Sequence, residues 1–159
     1  MSKPHFPARG GAAVGLLTDL PPLEAGAVRY FRYWFSGSEA RADLRQAFSG
    51  TLAPDLADSA FDCFGQLCDF CVTHGRRPLV RHGMTCSCLG PDENCFANLV
   101  AAATQGEAAD AELLASLIVT PQKAQTLSTL AAQTGLFLQQ MTKGLPQRRS
   151  YRSGSVTLH

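Results

Sequence analysis

Four side chains able to hold a soft metal fall within one short stretch: His82, Cys86, Cys88 and Cys95, spaced His-x3-Cys-x-Cys-x6-Cys. Three thiolates and one imidazole close the tetrahedron that zinc favours. The surrounding run, His82-Gly83-Met84-Thr85-Cys86-Ser87-Cys88, is glycine-punctuated, and a bound metal would give it a reason to be ordered. The first expectation is therefore a structural zinc site on these four residues. Cys-x-Cys brings its sulfurs round a metal less readily than Cys-x2-Cys does. The competing reading takes Cys86, Cys88 and Cys95 as small buried hydrophobes and His82 as a surface or capping residue.

A second constellation is Cys63, Cys68, Cys71 and His74. Cys68-Asp69-Phe70-Cys71 has the spacing of dithiol redox sites, in which a lowered thiol pKa supplies the attacking thiolate. These cysteines share a helical stripe with Phe61, Phe64 and Val72, where a buried thiol has its pKa raised and its access closed, so core packing is the plainer role. A helical chain with Cys-x2-Cys and a following His resembles the alkyl-hydroperoxidase-like family. That resemblance implies a redox role for Cys68, Cys71 and His74. His74 lies two residues past Cys71 where the family leaves three, and Leu56 and Asp58 stand in the region of the family's upstream Glu.

Helical periodicity supplies the frame. Ala27, Val28, Phe31, Trp34 and Phe35 recur at three- and four-residue spacing from Pro22 to about Ser36-Gly37, which predicts a helix with the arginines of Arg29-Tyr30-Phe31-Arg32-Tyr33-Trp34 on its outer side. Ser38 is expected to cap a second helix, carrying Leu44, Ala47 and Phe48, that stops at Gly50. A third runs from Pro54-Asp55 to His74-Gly75 with Asp62, Gln66, Asp69 and Thr73 on a polar arc, and is expected to pass through the middle of the domain. Leu79 to Asn94 reads as irregular. Gly90-Pro91-Asp92-Glu93 starts a fourth helix with proline and acids in its first turn, which carries Phe96, Leu99, Val100 and Ala103. A fifth holds Leu113, Leu114, Leu117 and Ile118; Thr120-Pro121 ends it and caps a sixth, with Leu127, Leu130, Ala131, Thr134, Leu138 and Met141 on one stripe and Gly144 as its C-cap. The last two form an antiparallel hairpin.

The expected fold is thus all-α, a single-domain bundle of five to six helices (21–144) with one irregular Cys-rich loop. Residues 1–20 read as an extended arm and residues 145–159 as a flexible basic tail. The only strand-like alternation is at Ser155 to Leu158.

Fourteen Lys+Arg against thirteen Asp+Glu give a formal charge of +1, too little for a global field attracting nucleic acid or an anionic membrane. Arg76, Arg77 and Arg81 beside the loop, with Arg148, Arg149 and Arg152, make at most a local anion-attracting patch; at a helix C-terminus they also answer the dipole. The early apolar run Ala12 to Leu17 is too short for a signal or a span. The expected location is cytoplasmic, a compartment where six cysteines are not a disulfide framework. A charged fraction of 17% leaves an apolar surface suited to self-association or a protein partner. No phosphate loop, nucleotide fingerprint, His-Glu-x2-His helix or Gly-x-Ser-x-Gly elbow is present. The leading expectation is a non-enzymatic helical protein with structural zinc, acting through protein contacts. The alternatives are a thiol redox enzyme on Cys68 and Cys71 and a metal-free helical adaptor.

Overall fold

The structure, a computed structural model, describes residues 13–144. They fold into an all-α bundle: α1 (Pro22–Trp34), α2 (Ser38–Thr51), α3 (Pro54–Thr73), α4 (Pro91–Thr104), α5 (Ala108–Ile118) and α6 (Ala124–Gly144). The arginine-rich tail and the Ser155 to Leu158 stretch lie outside the described residues. No described helix is long and apolar enough to cross a membrane.

Prolines open α1, α3 and α4, where the missing N–H is not needed and φ is already helical. At α2 the expected cap shifts by one residue. Gly37, at φ +102°, occupies the N-cap, and no side chain closes the helix start; that left-handed backbone is one only glycine adopts freely.

The middle of the bundle is not α3: α6 packs on all five other helices, and the most completely buried helix is α4. It packs against α1, α5 and α6, whereas α3 packs mainly on α2 and α6. Composition explains this. Ala97, Ala101, Ala102 and Ala103 are buried alongside Phe96, Leu99 and Val100, so α4 has small faces that neighbouring helices approach from several sides. In contrast, α3 keeps Asp62, Gln66, Asp69 and Thr73 exposed, as its polar arc requires. The closest approach is to α6: a Cβ on Gly135 would run into the Thr104 hydroxyl. Between α1 and its neighbours lies an aromatic cluster, with Phe31 and Phe96 ring centroids 4.7 Å apart and Tyr30 edge-on to Phe48 at 5.2 Å; such geometries add to simple area burial.

α5 and α6 pack together as expected, but α5 buries Ala111, Ala115 and Ile118 while Leu113 and Leu117 are 67% and 65% exposed. The alanine face lets α5 lie close to α4 and leaves these two leucines outward. Val72 of α3, expected in the apolar stripe, is also 65% exposed.

The N-terminal arm contributes a feature that no alternation announced. Gly15–Leu16 (β1) pairs antiparallel with Cys88–Leu89 (β2). Leu17 follows in a 3-10 turn and is buried with Val28, Leu89 and Ala97. The two-residue ladder thus clips the cysteine-rich loop to the body.

Candidate functional site

The irregular segment between α3 and α4 is positioned by two ion pairs. Arg32, on α1, is fully buried. Its Nε and Nη2 donate to the two oxygens of the equally buried Glu93, at 2.5 and 3.0 Å. Its Nη1 donates to the Cys86 carbonyl at 2.6 Å and its Nη2 to the Cys88 carbonyl at 2.7 Å. Glu93 also accepts the Gly90 N–H at 3.1 Å. A buried ion pair pays a desolvation penalty that only such complete hydrogen bonding offsets, and the guanidinium fork suits this bidentate geometry. Its consequence is positional, because one cation ties the loop to α1 and to the first turn of α4. The second pair, Arg77 with Asp92, is also bidentate at 2.6 and 2.8 Å, and Asp92 accepts the Val80 N–H at 2.7 Å.

Arg32 corrects the sequence reading, which set it on the outer side of α1. Ala25, Val28 and Arg32 are buried together at spacings of three and four, so the arginine continues an apolar stripe. A charge on that stripe, with an acid in the first turn of a later helix, was the available signal.

Of the four expected zinc ligands, His82 and Cys86 flank one turn and Cys88 follows in β2. Gly83 to Cys86 closes through the Cys86 N–H to the Gly83 carbonyl, 3.0 Å. Cys86 Sγ lies 3.8 Å from His82 Nδ1, and Cys88 is within hydrogen-bonding range of Cys86, which raises the Cys88 pKa. His82 Nε2 is buried without a partner among the described residues. Cys95 stands apart: its Sγ faces the Leu114 carbonyl of α5 at 3.7 Å. Burial first and the Asp92 charge second push its thiol up to about 11, with Arg77 acting in the opposite direction. Its nearest thiol influence falls on Cys71 of the core. Among the described residues no group of three or more His, Cys, Asp or Glu side chains is gathered to hold a metal ion.

The second constellation keeps Cys68 and Cys71 on one face of α3 but buries both in the core. Cys68 and Cys71 are 0% and 1% exposed. Burial drives the Cys68 pKa well above the ordinary thiol value, and burial followed by the neighbouring Cys95 thiol pushes Cys71 up to about 12. Neither supplies a thiolate near neutral pH. Cys63 is only partly buried, its pKa raised by burial and then by Asp62. His74 caps α3, its N–H on the Phe70 carbonyl at 3.0 Å and its ring 4.4 Å from that of Phe70.

A pocket of about 450 Å³ opens where the C-terminal ends of α1 and α3 meet the segment after α3. Phe31, Phe35, Cys71 and Leu79 line it with apolar side chains, and Arg76, Arg77 and Arg81 line it as well. Arg76 Nε donates to the Val119 carbonyl at 3.0 Å. Arg81 Nη2 donates to the Phe35 carbonyl at 2.6 Å, with its guanidinium 6.0 Å from the Phe35 ring. Of the three, only Arg77 is paired with a carboxylate among the described residues. The lining therefore joins apolar side chains to two arginines that have no carboxylate partner among the described residues. The arginines were visible in the sequence as an anion-attracting patch. The pocket was not, because its walls come from two stretches, 31–35 and 71–81, that only the fold brings together.

No family model, curated protein sequence or solved structure matches this chain.

Proposed function

We propose that this chain is a small helical binding protein that takes an anionic amphiphile, an alkyl or aryl chain ending in a carboxylate or sulfate, in the pocket between α1, α3 and the segment after α3. The observation that supports this reading is one pocket joining apolar side chains to two arginines, Arg76 and Arg81, with no described carboxylate partner. Small-molecule sites are commonly apolar cavities of roughly 300–1,000 Å³ with a few polar groups that fix orientation. The chain would lie against Phe31, Phe35 and Leu79 while the head group meets the guanidinium groups.

Calorimetric titration of the full chain with a homologous series of alkyl carboxylates tests it. Each added methylene should tighten binding by up to about fourfold until the pocket is filled, as expected for about 0.8 kcal/mol per buried methylene. The alkyl trimethylammonium of equal length should not bind. Arg76→Gln with Arg81→Gln should weaken the carboxylate by about tenfold, two partly screened surface charges at roughly 0.5–1 kcal/mol each. Val72→Trp, at an exposed position on the wall, should block entry without unfolding the protein. Equal affinity for the cationic and anionic amphiphiles would refute the proposal.

A further inference from the structure

A second hollow, of about 420 Å³, lies at the opposite end of α1 from the pocket and is lined by residues of α1, α4 and α5. Its charge is the reverse of the pocket's. Glu24, Glu107 and Asp110 contribute three carboxylates, and among the described residues no Lys or Arg lines it. None of the three is in an ion pair among the described residues. Glu24 stands in the first turn of α1 and Asp110 in that of α5, and each helix start presents about half a positive charge. Three carboxylates exceed what two helix starts answer. Glu24 Oε2 is moreover buried with no hydrogen-bond partner among the described residues, an acceptor that a cationic N–H donor would satisfy.

The rest of the lining is apolar, with Ala101 and Ala102 of α4 and Leu113 and Leu114 of α5. Helix α5 buries Ala111, Ala115 and Ile118 and sets Asp110, Leu113, Leu114 and Leu117 together on another face, at spacings of three, four and seven. Leu113 and Leu117, one turn apart, are 67% and 65% exposed. Exposed leucines one turn apart beside a hollow between helices match the apolar anchors of an amphipathic helix lying in a groove.

We infer that this hollow and the Leu113–Leu117 face dock a cationic amphipathic helix of a partner protein. Its apolar anchors lie against Ala101, Ala102 and the α5 leucines, and its lysines or arginines meet Glu24, Glu107 and Asp110. Charge complementarity selects this occupant, because a neutral or acidic helix on the same leucines would cover three carboxylates without giving them donors. The inference draws on nothing in the pocket between α1 and α3.

The probe is an amidated peptide of leucine and lysine, Leu-Lys-Lys-Leu-Leu-Lys-Leu repeated once, added to the nitrogen-15-labelled full chain. Its counterpart carries glutamate in place of lysine. The lysine peptide should give saturable shifts at the amides of Gly26, Ala101, Gln105, Asp110 and Leu113, weakening as sodium chloride is raised, and the glutamate peptide none. Glu107→Gln with Asp110→Asn should weaken binding by about tenfold, and Leu113→Ser with Leu117→Ser by about tenfold or more. All four positions are exposed, so the circular dichroism spectrum should be unchanged. Four results would overturn the inference: equal affinity for the two peptides; peptide shifts centred on Phe35 and Arg81; self-association in sedimentation equilibrium that Leu113→Ser with Leu117→Ser abolishes, which would make the occupant a second copy; or tighter binding of a synthetic peptide of residues 145–159, which would assign the groove to this chain's own arginine segment.

Discussion

Replacing Arg32 by methionine removes the one cation that joins α1, the Cys86–Cys88 segment and α4. Both partners of the Arg32–Glu93 pair are 0% exposed. In the variant Glu93 keeps the Gly90 N–H but loses two charge-assisted bonds, and the carbonyls of Cys86 and Cys88 lose their donors. Breaking a buried pair from one side costs about 3–5 kcal/mol because a charge is left uncompensated. For a domain of this size, that corresponds to a midpoint lower by roughly 10–20 °C. Urea unfolding followed by circular dichroism measures it directly. Arg32→Met combined with Glu93→Leu should recover at least half the loss, since a well-packed apolar pair is often as stable as a buried ionic one. The double variant should still show faster hydrogen exchange at residues 83–89, because the carbonyl anchors are absent from it too. A loss under about 1 kcal/mol in the single variant, or a double variant no more stable than the single, would refute the argument.

Gly135→Ala should destabilise the fold by about 1–3 kcal/mol through overpacking against Thr104, and Thr104→Ala in the same chain should restore part of that in a urea titration. Lysine at both Leu113 and Leu117 should leave the unfolding free energy within about 0.5 kcal/mol, as their exposure requires; a larger loss would mean that another chain covers this face. The raised Cys71 pKa gives a signed pH dependence. With its folded value about 12, the thiol is protonated in both states below pH 8 and contributes no slope there. Above about pH 9 the unfolded chain releases this proton and the folded chain does not. Stability therefore falls, by about 1.5 kcal/mol between pH 9 and pH 10.5 from this group. Cys71→Ala should remove that part of the decline in urea midpoints measured across the range.

Helix identity was legible wherever period and punctuation agreed. Pro22, Pro54 and Pro91 stand at the helix starts, and Asp62, Gln66, Asp69 and Thr73 face solvent as their projection required. What the sequence obscured were relations between distant segments. The β1–β2 ladder spans two residues on each side, too few to register as alternation, and its partners lie more than seventy positions apart. Arg32 read as exposed because charge outweighed its place on the Ala25–Val28 stripe, and its buried partner is sixty-one positions away. The same distance effect separates Cys95 from the other three metal-ligand candidates. Four ligands close in sequence diverge once Cys95 sits on α4 and faces α5, while His82 and Cys86 stay at the Gly83–Cys86 turn and Cys88 enters β2. The leucines of α5 mislead in the opposite direction: hydrophobicity suggested burial, but alanine is what permits the close contact with α4.

The most direct test of the proposed binding role is a nitrogen-15 chemical-shift titration of the full chain with decanoate. The account predicts saturable shifts confined to the amides around the pocket, at Phe35, Val72, Gly75, Leu79 and Arg81, with the opposite face of α5 unmoved. Shifts centred on Leu113 and Leu117, or none at saturating decanoate, would contradict it.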